Sequence, residues 1–195
     1  MIAIIDYDTG NLRSVCNALD RIGAEYCLTD DPTVIAKADR VLLPGVGEAS
    51  SAMQKLQERG LCEVIKSLKV PVLGICIGMQ LMCRHSEEGN VDCLGIFDVD
   101  VKRFNASESD LKIPHMGWNT ITLKKDDFIP SNLNGKYVYY VHSYYVPVND
   151  ATIATTDYIL PYSAALHKDN FYATQFHPEK SGDIGEQILK SFIEL

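Results

Sequence analysis

Residues Gly74-Ile75-Cys76-Ile77-Gly78 set a cysteine between two glycines, directly after the apolar run Val70-Pro71-Val72-Leu73. This is the thiol counterpart of the G-x-S-x-G nucleophile elbow, in which a strand turns sharply into a helix and holds its central residue in a strained conformation. Side chains two residues to either side would collide across so tight a turn, which is why glycine is needed there. At the helix entrance, unpaired N–H groups and the helix dipole favour a thiolate, and the same N–H groups can receive a developing oxyanion. A thiol so placed can do acyl transfer, and acyl transfer needs a base.

Five histidines could supply it: His85, His115, His142, His167 and His177. His177 stands out because Phe171 to Phe176 reads as a strand and His177-Pro178-Glu179 follows at its end, where α/β sites gather. Pro178 biases His177 towards extended geometry, so His177 and Glu179 should project to the same side. The carboxylate could then orient the imidazole and stabilise its cation, as the acid does in a hydrolase triad. Either pattern alone is common in ordinary strands and surface turns; together, in this chain order, they define a testable Cys76, His177, Glu179 triad. Six cysteines lie at 16, 27, 62, 76, 83 and 93, with neither C-x-x-C nor zinc-finger spacing. The five besides Cys76 are expected to be small buried hydrophobes, and neither metal nor cofactor is expected.

These residues need a frame that brings two strand ends together. Ile2 to Ile5, Val41 to Leu43 and Val70 to Ile75 read as buried strands, and Leu12, Val15, Cys16, Leu19 and Ile22 as one helix face. Gly10-Asn11 reads as a turn, Ala52 to Leu68 as helix interrupted at Gly60, and Ile77 to Cys83 as a further helix. From Ile96 the pattern becomes period two, including Tyr137 to Tyr145 and Phe171 to Phe176, which predicts antiparallel strands. Residues 104 to 116 read as a long loop, and Ile184, Ile188 and Phe192 mark a closing helix. The expectation is an α/β fold, one domain over residues 1–195, with a central mixed, mostly parallel sheet flanked by helices.

The 195 residues carry 26 Asp and Glu against 18 Lys and Arg, a formal charge of −8. An acidic chain without a basic run disfavours nucleic acid and anionic membranes as partners. The start Met1-Ile2-Ala3-Ile4-Ile5-Asp6 lacks a basic leader, and no segment approaches the roughly 18 apolar residues of a membrane span. A cytoplasmic protein is expected.

With the elbow and His177-Pro178-Glu179 in place, the sequence resembles the class I, triad-type glutamine amidotransferases over its whole length, which implies their flavodoxin-like fold. Pro44-Gly45-Val46-Gly47, Tyr140-Val141-His142-Ser143-Tyr144 and Gln175-Phe176-His177-Pro178-Glu179-Lys180 carry the likeness. Within that family, Gly78-Met79-Gln80 and Pro114-His115-Met116-Gly117-Trp118-Asn119 look like the glutaminase subunits of imidazole glycerol phosphate synthases of histidine biosynthesis. The resemblance implies Cys76 as nucleophile, His177 as general base and acid, and Glu179 as its orienting carboxylate. It places Gly45, Gly47, Ile77, Gln80, Glu88, His142, Ser143 and Tyr144 around glutamine, with Glu87 the alternative to Glu88. Ile77 and the Pro44 to Gly47 loop would supply the oxyanion N–H groups, and the glycines would let that loop leave its orientation when no partner is docked. A chain this short has no evident room for a second, ammonia-using site. The implied partner is a (β/α)8-barrel cyclase subunit, forming a heterodimer through Asn11, Trp118, Asn119, Tyr139 and Lys180. The alternative is a class I glutaminase subunit feeding a different ammonia-accepting synthase.

Overall fold

The computed structural model of the chain describes residues 1–8, 12–105, 107 and 110–195. In the first half, β1 (Ile2–Ile5), α1 (Leu12–Arg21), β2 (Tyr26–Thr29), α2 (Pro32–Lys37), β3 (Arg40–Leu43), α3 (Ala49–Glu58), α4 (Leu61–Ser67), β4 (Val72–Ile75) and α5 (Ile77–Leu81) follow one another. Local signals set several boundaries. Asp31 caps α2, its side chain accepting from Thr33 N at 2.8 Å, with Pro32 at the first helical position. Gly60, at a left-handed φ of 67°, separates α3 from α4, as its place in the periodic pattern predicts.

The second half contains β5 (Cys83–Ser86), β6 (Val91–Asp92), β7 (Phe97–Arg103), β8 (His115–Thr120), β9 (Thr122–Leu123), β10 (Tyr137–His142) and β11 (Tyr144–Tyr145). It continues with β12 (Thr152–Tyr158), β13 (Leu160–Lys168), β14 (Phe171–Thr174) and α6 (Gly182–Ile193). Among the described residues the main sheet has eight strands in the order β2-β1-β3-β4-β14-β13-β12-β9. β2, β1, β3, β4 and β14 run parallel, and β13, β12 and β9 add antiparallel partners. The fold class is therefore the mixed, mostly parallel α/β sheet that the sequence predicts. Two smaller sheets, β10-β8 and β11-β7-β5-β6, complete the described strands.

The continuous apolar runs of the central strands are explained by burial on both faces. In β1, Ala3 and Ile5 join a core with Val41, Leu43, Leu56 and Ile65. Ile2 and Ile4 join the opposite core with Leu19, Leu42, Leu73, Ile188 and Phe192. Alternate residues of one strand thus serve two helix layers.

Five expectations need correction. The helix after Cys76 ends at Leu81, and Cys83 opens β5 instead. The run Tyr137 to Tyr145 is broken at Ser143: β10 pairs with β8 while β11 pairs with β7, so the two halves of the run belong to different sheets. β14 is parallel to β4, although its other neighbour, β13, is antiparallel; period-two patterning reports burial, not direction. Of the six cysteines only Cys76 and Cys83 are buried, and the others are half-buried. The described part of 104–114 is a connection, and β8 begins within the expected loop at His115. The Gly10-Asn11 turn lies outside the described residues.

Candidate active site

β4 and β14 are parallel neighbours in register, with Thr174 opposite Ile75. The residues that leave their C-terminal ends must therefore meet, and Cys76 N donates to Thr174 O at 2.8 Å. Cys76 is the N-cap of α5 at φ 53°, ψ −104°, a conformation that L-residues rarely adopt. The flanking glycines are sterically fixed. A Cβ on Gly74 would lie 2.8 Å from the Gly78 carbonyl carbon, and one on Gly78 would overlap the Leu43 carbonyl oxygen.

Downstream of β14 the chain turns through His177 into a short 3-10 turn over Pro178–Lys180. His177 N donates to Tyr139 O at 2.9 Å, and Ser181 Oγ donates to His177 O at 2.6 Å. His177 Nδ1 meets Glu179 Oε1 at 2.7 Å, with both side chains buried. Extended geometry at His177, φ −98° and ψ 97°, is what the following proline predicts. The Nε2 nitrogen and Glu179 Oε2 are buried without hydrogen-bond partners. Burial opposes charge on the ring, but the interactions with Cys76 and with Glu179 outweigh it, raising the His177 pKa to about 10. The sulfur and the carboxylate thus both favour the charged form of the ring.

Cys76 and His177 line a cleft of about 250 Å³ with Val46, Gly47, Ile77, Gln80, Glu88, Val141, His142, Ser143 and Tyr144. Eight of the expected site residues besides the triad are thus placed as follows. Gly47, Ile77, Gln80, Glu88, His142, Ser143 and Tyr144 reach the cleft, whereas Gly45 lies behind it. A Cβ on Gly45 would overlap Tyr7 Oη and Ile77 Cγ2, and Tyr7 Oη donates to Pro44 O at 2.9 Å, fixing the base of the loop. Gly47 has φ 104°, which glycine alone adopts readily.

The two adjacent glutamates are separated by their surroundings. Glu88 reaches the cleft and its Oε2 accepts from Ala49 N at 3.0 Å; burial raises its pKa against that bond. Glu87 points away, with Oε2 accepting from Arg103 N at 2.8 Å.

His142 belongs to a buried polar chain. Its Nδ1 donates to Tyr144 O at 2.7 Å, which leaves Nε2 to accept from Tyr162 Oη at 3.2 Å. Tyr162 Oη then accepts from His115 Nδ1 at 3.1 Å, and His115 Nε2 meets Asn119 Nδ2 at 3.4 Å. Burial keeps both rings neutral, lowering His142 to about 3 and His115 to about 4.

Trp118 is 56% exposed and packs edge-on against Tyr139 across the β8-β10 ladder, ring centroids 5.9 Å apart. Met116 and Tyr137 are also exposed on this ribbon, though sequence reasoning did not select them. Asn119 turns inward, donating to Asp157 O at 3.0 Å, and half-buried Lys180 follows the His177 turn. Asn11 lies outside the described residues. Two other residues that sequence reasoning passed over hold the site: Gln175 and Tyr162. Gln175 carried a usable signal, since it stands two before His177 in an extended run; Tyr162, from a distant strand, carried none.

Among the described residues no helix is long and apolar enough to cross a membrane, and no group of three or more His, Cys, Asp or Glu is arranged to hold a metal ion.

Residues 3–195 of the chain match the family model "Glutamine amidotransferase class-I". The chain belongs to that family. It is 61% identical over 194 residues to the imidazole glycerol phosphate synthase subunit HisH of Bacteroides fragilis, covering 100% of this chain and 99% of the relative. The HisH subunit of Escherichia coli is 47% identical over 196 residues, covering 100% and 99%. A crystal structure of a glutamine amidotransferase superposes with TM-score 0.76 at 15% identity, over 100% of this chain and 98% of that one, a likeness of fold.

Proposed function

We propose that the chain is the glutaminase subunit of an imidazole glycerol phosphate synthase, a single domain over residues 1–195 that hydrolyses glutamine to glutamate and ammonia. The observation that carries this reading is the buried Cys76, His177 and Glu179 set opening on a cleft that also holds the half-buried Glu88 carboxylate. The names of the 61% and 47% identical relatives support the choice of synthase.

In this mechanism the Cys76 thiolate attacks the side-chain carboxamide of glutamine. The backbone N–H of Ile77 and one from the Val46-Gly47 loop receive the oxyanion; loss of one such donor typically costs about 100- to 1,000-fold. His177, as the imidazolium, protonates the departing ammonia and then, as the neutral base, activates the water that hydrolyses the γ-glutamyl thioester. Glu179 keeps Nε2 directed at these atoms by holding Nδ1. Glu88 offers a negative partner to the substrate ammonium, and Gln80, Ser143 and Tyr144 shape the remaining cleft. No step requires a metal or cofactor.

The ammonia acceptor is a (β/α)8-barrel cyclase subunit, which joins it to a phosphorylated ribulosyl aminoimidazole carboxamide intermediate. The exposed Trp118 with Tyr139, and Lys180 beside the His177 turn, form the docking face; aromatic anchors of this kind dominate interface energetics. Asn119, next to Trp118 on β8, and Asn11 complete the assignment. The test is to combine the chain with such a cyclase subunit and measure glutamine-dependent formation of imidazole glycerol phosphate. Complex formation with glutamine-driven product is expected. A chain that neither binds the cyclase nor supplies it with ammonia would overturn the assignment.

A further inference from the structure

We infer that Gln175 is a direct hydrogen-bond donor to the Cys76 sulfur, oriented for that task by Gln80. The inference rests on the reading of Cys76 as nucleophile and adds a residue to it.

Gln175 is fully buried, and its Nε2 lies 3.7 Å from Cys76 Sγ, within reach for an N–H···S bond. An amide side chain has a donor end and an acceptor end that are nearly alike in shape, so the assignment needs a fixed reference. The Tyr144 carbonyl supplies it, because a backbone carbonyl can only accept. The Gln80 atom 3.0 Å from that oxygen must therefore be Nε2. The same Nε2 is 2.9 Å from the Gln175 amide, so the Gln175 atom there must be the acceptor, Oε1. That leaves the Gln175 Nε2 donor facing the sulfur. The contacts run in the order Tyr144 carbonyl, Gln80 amide, Gln175 amide, Cys76 sulfur, so that buried Gln175 joins two residues of the cleft wall from behind.

The donor matters most for the charged form of the thiol. As a neutral S–H, Cys76 donates to Val141 O at 3.9 Å. Once the proton leaves, that carbonyl has nothing to accept and faces a negative sulfur, whereas the Gln175 N–H faces it favourably. Hydrogen bonds to a charged partner are the strong ones. Gln175 acts before attack, on the thiolate, and again when the thioester breaks and the thiolate leaves. Gln80 touches the sulfur only through Gln175 and is a positioning residue; because it also holds the Tyr144 carbonyl, movement of the segment 142–144 is transmitted to the nucleophile.

The experiment is the pH dependence of Cys76 alkylation by iodoacetamide in the full chain, with the modified peptide identified by mass. Gln175→Glu keeps the shape and still accepts from Gln80, but it removes the donor and puts a carboxylate beside the sulfur. Gln175→Met removes the donor without adding charge. In both, the pH midpoint should move up by about one unit or more, with a roughly tenfold slower reaction at neutral pH, and further for Gln175→Glu. Gln80→Met should move it in the same direction by less. A purely structural role would lower activity while leaving the midpoint where it was, and that result in folded variants would overturn the inference. Should the substitutions prevent folding, the unsubstituted chain still decides the matter. The Gln175 side-chain amide NMR signal should follow the Cys76 titration, and a signal that stays fixed would refute the contact. If Cys76 proves unreactive throughout and Cys76→Ala hydrolyses glutamine normally, the nucleophile assignment has failed; reactive Cys76 with unmoved midpoints defeats the Gln175 inference alone.

Discussion

Replacing Cys76 by glycine and by alanine separates the strain of the elbow from the chemistry of its thiol. Both substitutions delete the sulfur, so they share that loss and differ only in a Cβ. At an ordinary buried position alanine is the more stable. Its methyl buries about 0.8 kcal/mol of apolar surface, and glycine loses about 0.7 kcal/mol more chain entropy on folding. Without strain the alanine variant should therefore lead by about 1.5 kcal/mol. At φ 53°, ψ −104°, however, any residue with a Cβ pays a conformational cost that glycine avoids. Such strain is worth about 1–3 kcal/mol, and its midpoint, about 2 kcal/mol, more than cancels the alanine advantage. Cys76→Gly should thus equal or exceed Cys76→Ala in stability, by about 0.5 kcal/mol, with both inactive. Urea unfolding of the two variants at one pH, with equal slopes, measures the difference directly. An alanine variant more stable by the full 1.5 kcal/mol or so would refute the strained elbow.

Other consequences follow from the same geometry. Gly78→Ala should destabilise the fold by about 2–4 kcal/mol, because the new methyl overlaps the fixed Leu43 carbonyl; an unchanged urea midpoint would contradict this. His142 has its pKa lowered from 6.5 to about 3, so the unfolded chain takes up a proton in this window that the folded chain refuses. The stability present above pH 6.5 is then lost as pH falls towards 3, by about 1.4 kcal/mol per pH unit for this group. His142→Gln should lose stability less steeply between pH 6.5 and 5 than the unsubstituted chain, and equal slopes would count against the buried neutral ring. Glu88→Gln should raise KM for glutamine by about tenfold or more with a smaller change in kcat, whereas Glu87→Gln should leave both nearly unchanged; the reverse order in steady-state kinetics would show that Glu87 serves the cleft.

Much of the site could be read from sequence because its chemistry is local. Gly74, Cys76 and Gly78 encode their own turn, and Pro178 sets the extended geometry that aligns His177 with Glu179. The central strands were legible for a related reason: burial on both faces produces unbroken apolar runs such as Val72 to Ile75. What escaped is set by distant pairing. The parallel direction of β14 depends on β4 lying beside it, about a hundred residues earlier in the chain, and nothing within Phe171 to Thr174 records this. The interruption of the strand at Ser143 is equally nonlocal, since β10 and β11 are claimed by different sheets. The chain from His142 through Tyr162 to His115 joins three strands, and each residue alone looks like an ordinary core or edge residue. Glu88 and Glu87 illustrate the boundary: adjacency made them interchangeable in sequence, and only the contacts with Ala49 and Arg103 distinguish them.

The most direct test of the catalytic account is to quench the chain with acid during glutamine turnover, alone and with the proposed cyclase subunit added, and to map any covalent adduct by peptide mass. The account predicts one γ-glutamyl group on Cys76, removed by hydroxylamine, with ammonia release abolished in Cys76→Ala. Undiminished ammonia release from that variant, or a glutamyl group carried on another residue, would contradict it.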